Sequence, residues 1–272
     1  FDMVVLAECG VTVKNLTADT MVAAYLLGEK SLGLKALAFS KLNVEMTPIN
    51  ALIGSGARQI SMSQIEIDKA ADYACADADI TGQLAELLGA ELHRQGLWRL
   101  FSEVEMPLVP VLFQMERSGV ALDKDRLGEM SHRLGERLNQ LEMEIYDSAG
   151  HQFNINSPQQ LGSVLFEELQ LPTGRKGKGK YSTEASVLEA LRSVHSIVKL
   201  ILDYRQLTKL KSTYIDTLPA LINRRSNRVH TSFNQTRTST GRLSSSEPNL
   251  QNIPVRGEMG RQVRQAFITP PG

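Results

Sequence analysis

Thr236 to Arg256 reads TRTSTGRLSSSEPNLQNIPVR, a run too hydrophilic for a core and dense in hydrogen-bond donors. The donors are Arg242, Asn249, Gln251 and Asn252. Gly241, Pro248 and Pro254 punctuate the run and favour turns and short extended pieces. Such donors suit the minor groove of a duplex, whose floor offers purine N3 and pyrimidine O2 acceptors at every base pair. A surface built this way reads correct pairing, not sequence. The bland alternative is a solvated loop of Ser, Thr and Asn, common for polar runs between structured segments.

Around this run the charges are segregated. The chain of 272 residues has a formal net charge of zero, yet residues 201–272 carry eleven Lys/Arg against four Asp/Glu. Arg175, Lys176, Lys178 and Lys180 add four bases with no acid, so the remainder is net acidic by eleven. A basic C-terminal third with an isolated basic tip is the footprint of a groove that holds phosphate backbone. Solvated surface charge is the common explanation of any single cluster; two clusters beside a donor-rich run weaken it. The apolar fraction of 42% is ample for buried cores. Cys9 and Cys75 lack metal-type spacing, which points to ordinary core packing in a reducing compartment. No apolar run has the length of a membrane span. Beginning at Phe1 and ending on Pro270-Pro271-Gly272, the chain reads as an internal piece of a longer polypeptide.

Upstream, residues 1 to about 97 read as the helical back half of an α/β domain. Asp19 is placed to cap a helix over Thr20 to Leu27 that Gly28 ends, and Ser31 to cap the next. Ile67, Ala70, Ala74, Ala78, Leu84, Leu88 and Leu92 mark a long helix from about Glu66 to Leu92. Pro107 and Pro110 mark a junction. Apolar positions 127, 130, 134, 138, 141 and 145 then describe a projecting helix with a coiled-coil-like seam. Ser157-Pro158-Gln159-Gln160 has the form of a capping box opening a short helix to Leu169. A Gly/Lys tract to Lys180 forms a loop tip, and Thr183 caps a further helix. Ile197 to about Leu221 returns alongside the first long helix, and the alternation Val229, Thr231, Phe233 reads as one strand.

The polar run resembles, almost residue for residue, the TxTGRLSSxxPNLQNIPxR signature of A-family DNA polymerases, the bacterial DNA polymerase I group. QVRQAFITPPG after it is similar to that family's approach to its first catalytic strand. DYRQLTKLKSTYIDTLPALIN, RVHTSFNQ and EMPLVPVLFQMERSGVALD resemble the family's thumb, so the likeness covers essentially the whole chain. It implies a mainly α chain with a minor β part: the rear of an RNase H-like 3′-5′ exonuclease domain (1–97), a helical thumb (98–226) and the start of an antiparallel palm sheet (227–272). On this reading Arg205 and Lys209, which share a helix face, contact phosphates together with Ser212 and Thr213 just beyond. Lys176, Lys178 and Lys180 do so at the tip. His230 fits either a DNA contact or packing, and Arg224, Arg225 and Arg228 read as generic electrostatics.

Tyr73 and Asp77 lie four apart, so a phenol and a carboxylate leave one helix face, a half-site for metal-assisted phosphodiester hydrolysis or simply a surface pair. YACADADITGQL resembles the third motif of the family's proofreading exonuclease, which implies that Asp77 binds metal and Tyr73 orients water. FDMVVL resembles the end of the second motif and makes Asp2 a further metal carboxylate. Two carboxylates make no two-metal site, so hydrolysis by this chain is not expected. The resemblance further implies a parent enzyme that adds deoxynucleotides to a primer 3′-OH with Mg2+, its catalytic acids lying beyond Gly272. Its partners would be primer-template duplex and deoxynucleoside triphosphates, with no membrane, in a monomeric cytoplasmic protein of bacterial type. This chain would supply duplex grip. The rivals are a non-catalytic DNA-binding or clamp module and a 3′-5′ exonuclease with a helical appendage.

Overall fold

Two small antiparallel sheets interrupt a helical chain in the computed structural model, which describes residues 2–172, 181–255 and 257–269. The strands are β1 (Val120–Leu122), β2 (Arg228–Val229), β3 (Ser232–Asn234), β4 (Ser244–Ser246) and β5 (Phe267–Ile268). One sheet runs β2-β1-β5, with Val120 opposite Val229 and Leu122 opposite Phe267; the other pairs β3 with β4, Phe233 opposite Ser245. The fold class is therefore mainly α with a minor β part. Val229, Thr231 and Phe233 do not form one strand: the chain changes sheets between Val229 and Ser232. The chain forms two compact units, Phe1–Gly119 with Thr231–Gln251, and Val120–His230 with Asn252–Gly272.

The first unit contains α1 (Asp2–Glu8), α2 (Thr20–Leu26), α3 (Leu34–Leu37), α4 (Ile49–Ile53), α5 (Ile67–Arg94), α6 (Trp98–Leu100) and α7 (Met106–Ser118), together with β3 and β4. The Asp19 carboxylate accepts from the Met21 and Val22 amides at 2.9 and 3.1 Å and starts α2. Gly28, at φ +74°, follows it in the left-handed region that glycine enters without strain. Ser31 does not cap α3; Gly33 precedes it with no side-chain bond, and burial of Leu37 and Ala38 sets where that helix packs.

In α5 only the second half joins the core. Ile80, Leu84, Leu88 and Leu92 are buried with Val22, Ala23, Ala24, Leu37, Phe101 and Met106, whereas Ile67 is 84% exposed. The alanines of the first half offer too little apolar area to draw that end inward. The expected junction at Pro107 and Pro110 is instead helix. Helix continues through a wide π turn over Phe101–Glu105 into α7; Pro107 follows directly on that turn and Pro110 lies inside α7, each leaving one ladder bond unmade, and the break comes at Gly119. Cys9 and Cys75 are exposed rather than packed, because one follows the end of α1 and the other sits on the outward half of α5.

The second unit is built on α8 (Lys124–Ala149), α9 (Pro158–Ser163), α10 (Ala185–Ala190), α11 (Ser196–Leu210), α12 (Thr217–Ala220) and α13 (Glu258–Arg264). Leu127, Met130, Leu134, Leu141 and Ile145 give α8 its buried stripe, and α8 packs along α11. Ile155, Leu161, Leu165, Leu188, Ile197 and Ile201 complete that core. The capping box at Ser157 is half made. Its hydroxyl accepts from Gln160 N at 3.4 Å, but Gln160 Oε1 accepts from Asn154 N, because Ser157 N already donates to Asn154 O. Thr183 is buried and does not cap α10, whose cap position is Glu184. The helix expected over 197–221 breaks into α11, a π turn at Lys211–Ile215 and α12, since Pro219 has no N–H to continue a single ladder.

Candidate nucleic-acid interface

The polar run divides at Gln251 between the two units, and each part is held by its own set of bonds. In the first unit β3 is tied to α7: Phe233 N donates to Glu116 Oε1 at 2.7 Å. The Gln235 amide donates to Glu105 Oε2 at 2.9 Å. The Tyr25 hydroxyl on α2 donates to the Thr238 carbonyl at 2.6 Å, and Thr238 Oγ1 donates to the Arg242 carbonyl at 2.6 Å. Gly241 reverses the chain at φ +72°.

From β4 onward the run supplies most of its own bonds, although the buried Ser244 Oγ has no partner among the described residues. Ser245 is buried, and its hydroxyl accepts from Leu250 N at 3.0 Å. Asn249 Oδ1 accepts from Gln251 N, and Gln251 Nε2 donates to Leu243 O, both at 3.0 Å. Thr231 Oγ1 donates to Pro248 O at 2.7 Å. These bonds sort the four donors. Gln251 has given an amide proton to its own loop, while the exposed Arg242 guanidinium has no hydrogen bond or ion pair among the described residues. Asn249 and Asn252 are also exposed, and no side-chain NH2 of either has a described partner.

In the second unit the Tyr214 hydroxyl, its pKa pushed up by burial, donates to the Asn252 carbonyl at 2.5 Å. Arg264 reaches Pro254 O and Ile253 O at 3.3 and 3.2 Å. Gly260 lies so close that a Cβ there would meet Pro254 O at 2.5 Å.

On α11 the candidates separate. Lys209, Ser212 and Thr213 are exposed. Arg205 is half-buried and donates to Thr183 O and Thr183 Oγ1; burial pushes its guanidinium below the usual range. A phosphate there would have to use guanidinium protons beyond those two. Lys211 bridges to Ser131 Oγ at 2.9 Å and Asp216 Oδ2 at 2.8 Å. Burial pushes the Asp216 carboxyl up, but the hydrogen bonds from Lys211 and Ser131 outweigh it and hold the group below its ordinary value. Lys176, Lys178 and Lys180 lie outside the described residues.

The exonuclease candidates are less complete. Tyr73 and Asp77 are half-buried on α5, with Lys35 Nζ 4.8 Å from the Tyr73 ring centroid. Asp77 Oδ1 is buried with no hydrogen-bond partner among the described residues, the condition of a carboxylate oxygen available to a cation. Asp2 is exposed in the first turn of α1, and among the described residues no hydrogen bond joins it to either residue. Among the described residues no group of three or more His, Cys, Asp or Glu could hold a metal ion, so these residues alone do not fit a metal centre.

Tyr25 and Tyr214 hold the run, Glu105 and Glu116 hold the segment that leads into it, and local sequence gives no signal for them because their partners are distant in the chain. Tyr25 and Thr238 are 213 residues apart.

The class these features define is a mainly helical chain that pins a solvent-facing donor loop between short strands. Residues 124–272 match DNA polymerase family A and residues 1–93 match the 3′-5′ exonuclease family. The chain belongs to DNA polymerase family A. It is similar to DNA polymerase I of Chloroflexus aurantiacus, 49% identical over 280 residues that cover 100% of this chain and 30% of the relative. DNA polymerase I of Pseudomonas aeruginosa is 42% identical, covering 100% of this chain and 31% of that protein. The chain thus spans about three-tenths of the length of these relatives. Among solved structures, the POL domain of Pol1 from M. smegmatis in complex with DNA primer-template and dNTP superposes with a TM-score of 0.82 at 36% identity. That match covers 97% of this chain and 43% of that one. No helix of the described residues is long and apolar enough to cross a membrane.

Proposed function

We propose that this chain is the duplex-gripping part of a DNA-directed DNA polymerase that adds deoxynucleotides to a primer 3′-OH. The observation that carries this is the exposed Arg242 guanidinium, without a partner among the described residues, on a loop whose backbone is bonded at both ends. Family membership and the likeness to a polymerase that holds primer-template and dNTP support it. The functional parts are the rear of an exonuclease-like domain (1–97), a thumb (98–226) and the start of a palm (227–272), a division drawn on a different basis from the compact units. Arg242, Asn249, Gln251 and Asn252 face the minor groove; Lys209, Ser212, Thr213 and the tip lysines Lys176, Lys178 and Lys180 meet phosphates. Arg205 orders Thr183 and the start of α10 and offers its remaining protons to a phosphate.

Mg2+ serves the longer enzyme through ligands mostly outside this chain, with Asp77 and Asp2 as exonuclease candidates and Tyr73 beside Asp77. The protein works as a cytoplasmic monomer, with deoxynucleoside triphosphates as co-substrates. The test is fluorescence anisotropy of the chain with duplexes of scrambled sequence. Saturable binding with Kd values within a few-fold across sequences, weakening steeply with salt, is expected. Tight preference for one sequence, or no binding, would contradict it.

A further inference from the structure

We infer that Tyr25 is a positioning residue for Arg242 and acts through Thr238, an inference that rests on the minor-groove reading of Arg242. Tyr25 stands on α2, within the stretch that matches the exonuclease family, while Thr238 and Arg242 belong to the stretch that matches the polymerase family. All three lie in one compact unit. The Tyr25 hydroxyl donates to the Thr238 carbonyl at 2.6 Å, and the Thr238 hydroxyl donates to the Arg242 carbonyl at 2.6 Å. Two bonds in series therefore link a helix to the backbone that bears the guanidinium.

The helix end of this relay is fixed. Val22, Ala23 and Ala24 are buried against α5, and Asp19 caps the first turn of α2. The loop end is held after Arg242 by the Gln251 bond to Leu243 O and by the pairing of Ser244 with Asn234, while the turn before it is tied to α2 through Tyr25 and Thr238. Gly241, between the two bonded residues, sits at φ +72° with nothing within 4 Å of where a Cβ would stand, so packing does not restrain the turn. Arg242 has no side-chain partner among the described residues, so its place is set through its backbone, by Thr238 at its own carbonyl and by Gln251 at the Leu243 carbonyl. A donor that must meet an acceptor at hydrogen-bond distance loses affinity when its support is loose, because ordering it is then left to the binding step. Thus a residue of the exonuclease-matching segment tunes how the polymerase-matching segment meets DNA.

The experiment uses the whole chain and anisotropy on duplexes ending in an ordinary purine or in 3-deazapurine, which lacks the N3 acceptor. Tyr25→Phe removes only the hydroxyl. It is expected to weaken binding to the ordinary duplex about three- to tenfold, the scale of one hydrogen bond, and to shrink the 3-deaza penalty. Thr238→Val should do the same from the other end, while Thr238→Ser, which keeps the hydroxyl, should behave as wild type. On an Arg242→Ala background Tyr25→Phe should add less than about twofold, since coupled residues do not sum. A merely structural role would lower Tm without touching the 3-deaza penalty. Full additivity with Arg242→Ala, or a wild-type 3-deaza penalty in both Tyr25→Phe and Thr238→Val, overturns the inference and leaves the minor-groove reading standing. Should Arg242→Ala alone leave the penalty intact, the minor-groove reading fails and takes this inference with it. If Tyr25→Phe unfolds α2, Thr238→Val decides the question.

Discussion

The loop around Arg242 and the face of α5 around Tyr73 and Asp77 both present polar chemistry, but they are built to different degrees of completion. The loop is bonded at Phe233, Gln235, Thr238 and Leu250, and of its buried hydroxyls Ser245 is satisfied while Ser244 Oγ has no partner among the described residues. The helix face leaves a buried Asp77 oxygen without a partner and belongs to no group of three or more His, Cys, Asp or Glu that could hold a metal ion among the described residues. Bonds from several elements fix the backbone that carries Arg242 and leave only a neutral hydroxyl unmatched, whereas an orphaned carboxylate leaves a larger cost that another group must relieve. The difference teaches which segment is ready to act in this chain.

The largest expected effect would break the comparison by moving the grip elsewhere. Replacing Lys176, Lys178 and Lys180 together with Ala should weaken duplex binding similarly for all sequences. The salt slope should fall by up to about three, at roughly 0.9 per phosphate contact. An unchanged slope in an anisotropy titration would leave the tip out of the interface. Next comes Gly260→Ala, whose Cβ would press on Pro254 O at 2.5 Å and displace the second part of the run. A loss of about 1–3 kcal/mol in a denaturant melt is expected from such overpacking. A variant as stable as wild type would mean that this close approach yields freely.

Asp77→Ala should contrast with both. Removing an unsatisfied oxygen leaves stability within about 1 kcal/mol of wild type, or raises it, and leaves duplex affinity unchanged. A larger loss in the same melt would show that Asp77 already has a structural partner. The smallest effect concerns Asp216. Its folded pKa lies below the ordinary 3.8, so the stability it contributes is present above that value and lost as pH falls through the folded one. Its side chain is 44% exposed, which limits the contribution to below about 1 kcal/mol. Asp216→Asn should therefore narrow the Tm difference between neutral and acid pH, and an unaltered difference would mean that the Lys211 bridge does not stabilise the turn between α11 and α12.

Sequence patterns made the long helices legible, because the stripe from Leu127 to Ile145 and the Asp19 cap depend on neighbours within a turn or two. The donor run was legible for the same reason. What escaped is long-range. Gln160 turned to Asn154 because the amide expected for it was already taken, and Thr183 was buried to meet Arg205 rather than left to cap. Arg205 shows the limit most sharply: helical spacing places it on a face with Lys209, but only the fold reveals that Thr183 already accepts from it. Tyr25 and Tyr214 gave no local sign that their hydroxyls hold the run, since a tyrosine among apolar neighbours looks the same in sequence whatever its oxygen touches.

The most direct measurement is the affinity of Arg242→Ala for duplexes with matched and mismatched primer termini. A guanidinium that bonds acceptors shared by correct pairs contributes on the order of 1–3 kcal/mol to the matched complex and little to a mispair, which displaces those acceptors. The expected result is that matched binding falls by about that amount while mismatched binding barely changes, so the gap narrows. Equal losses on both duplexes would contradict the pairing-sensing role of the run, and Arg242 would be one more phosphate contact.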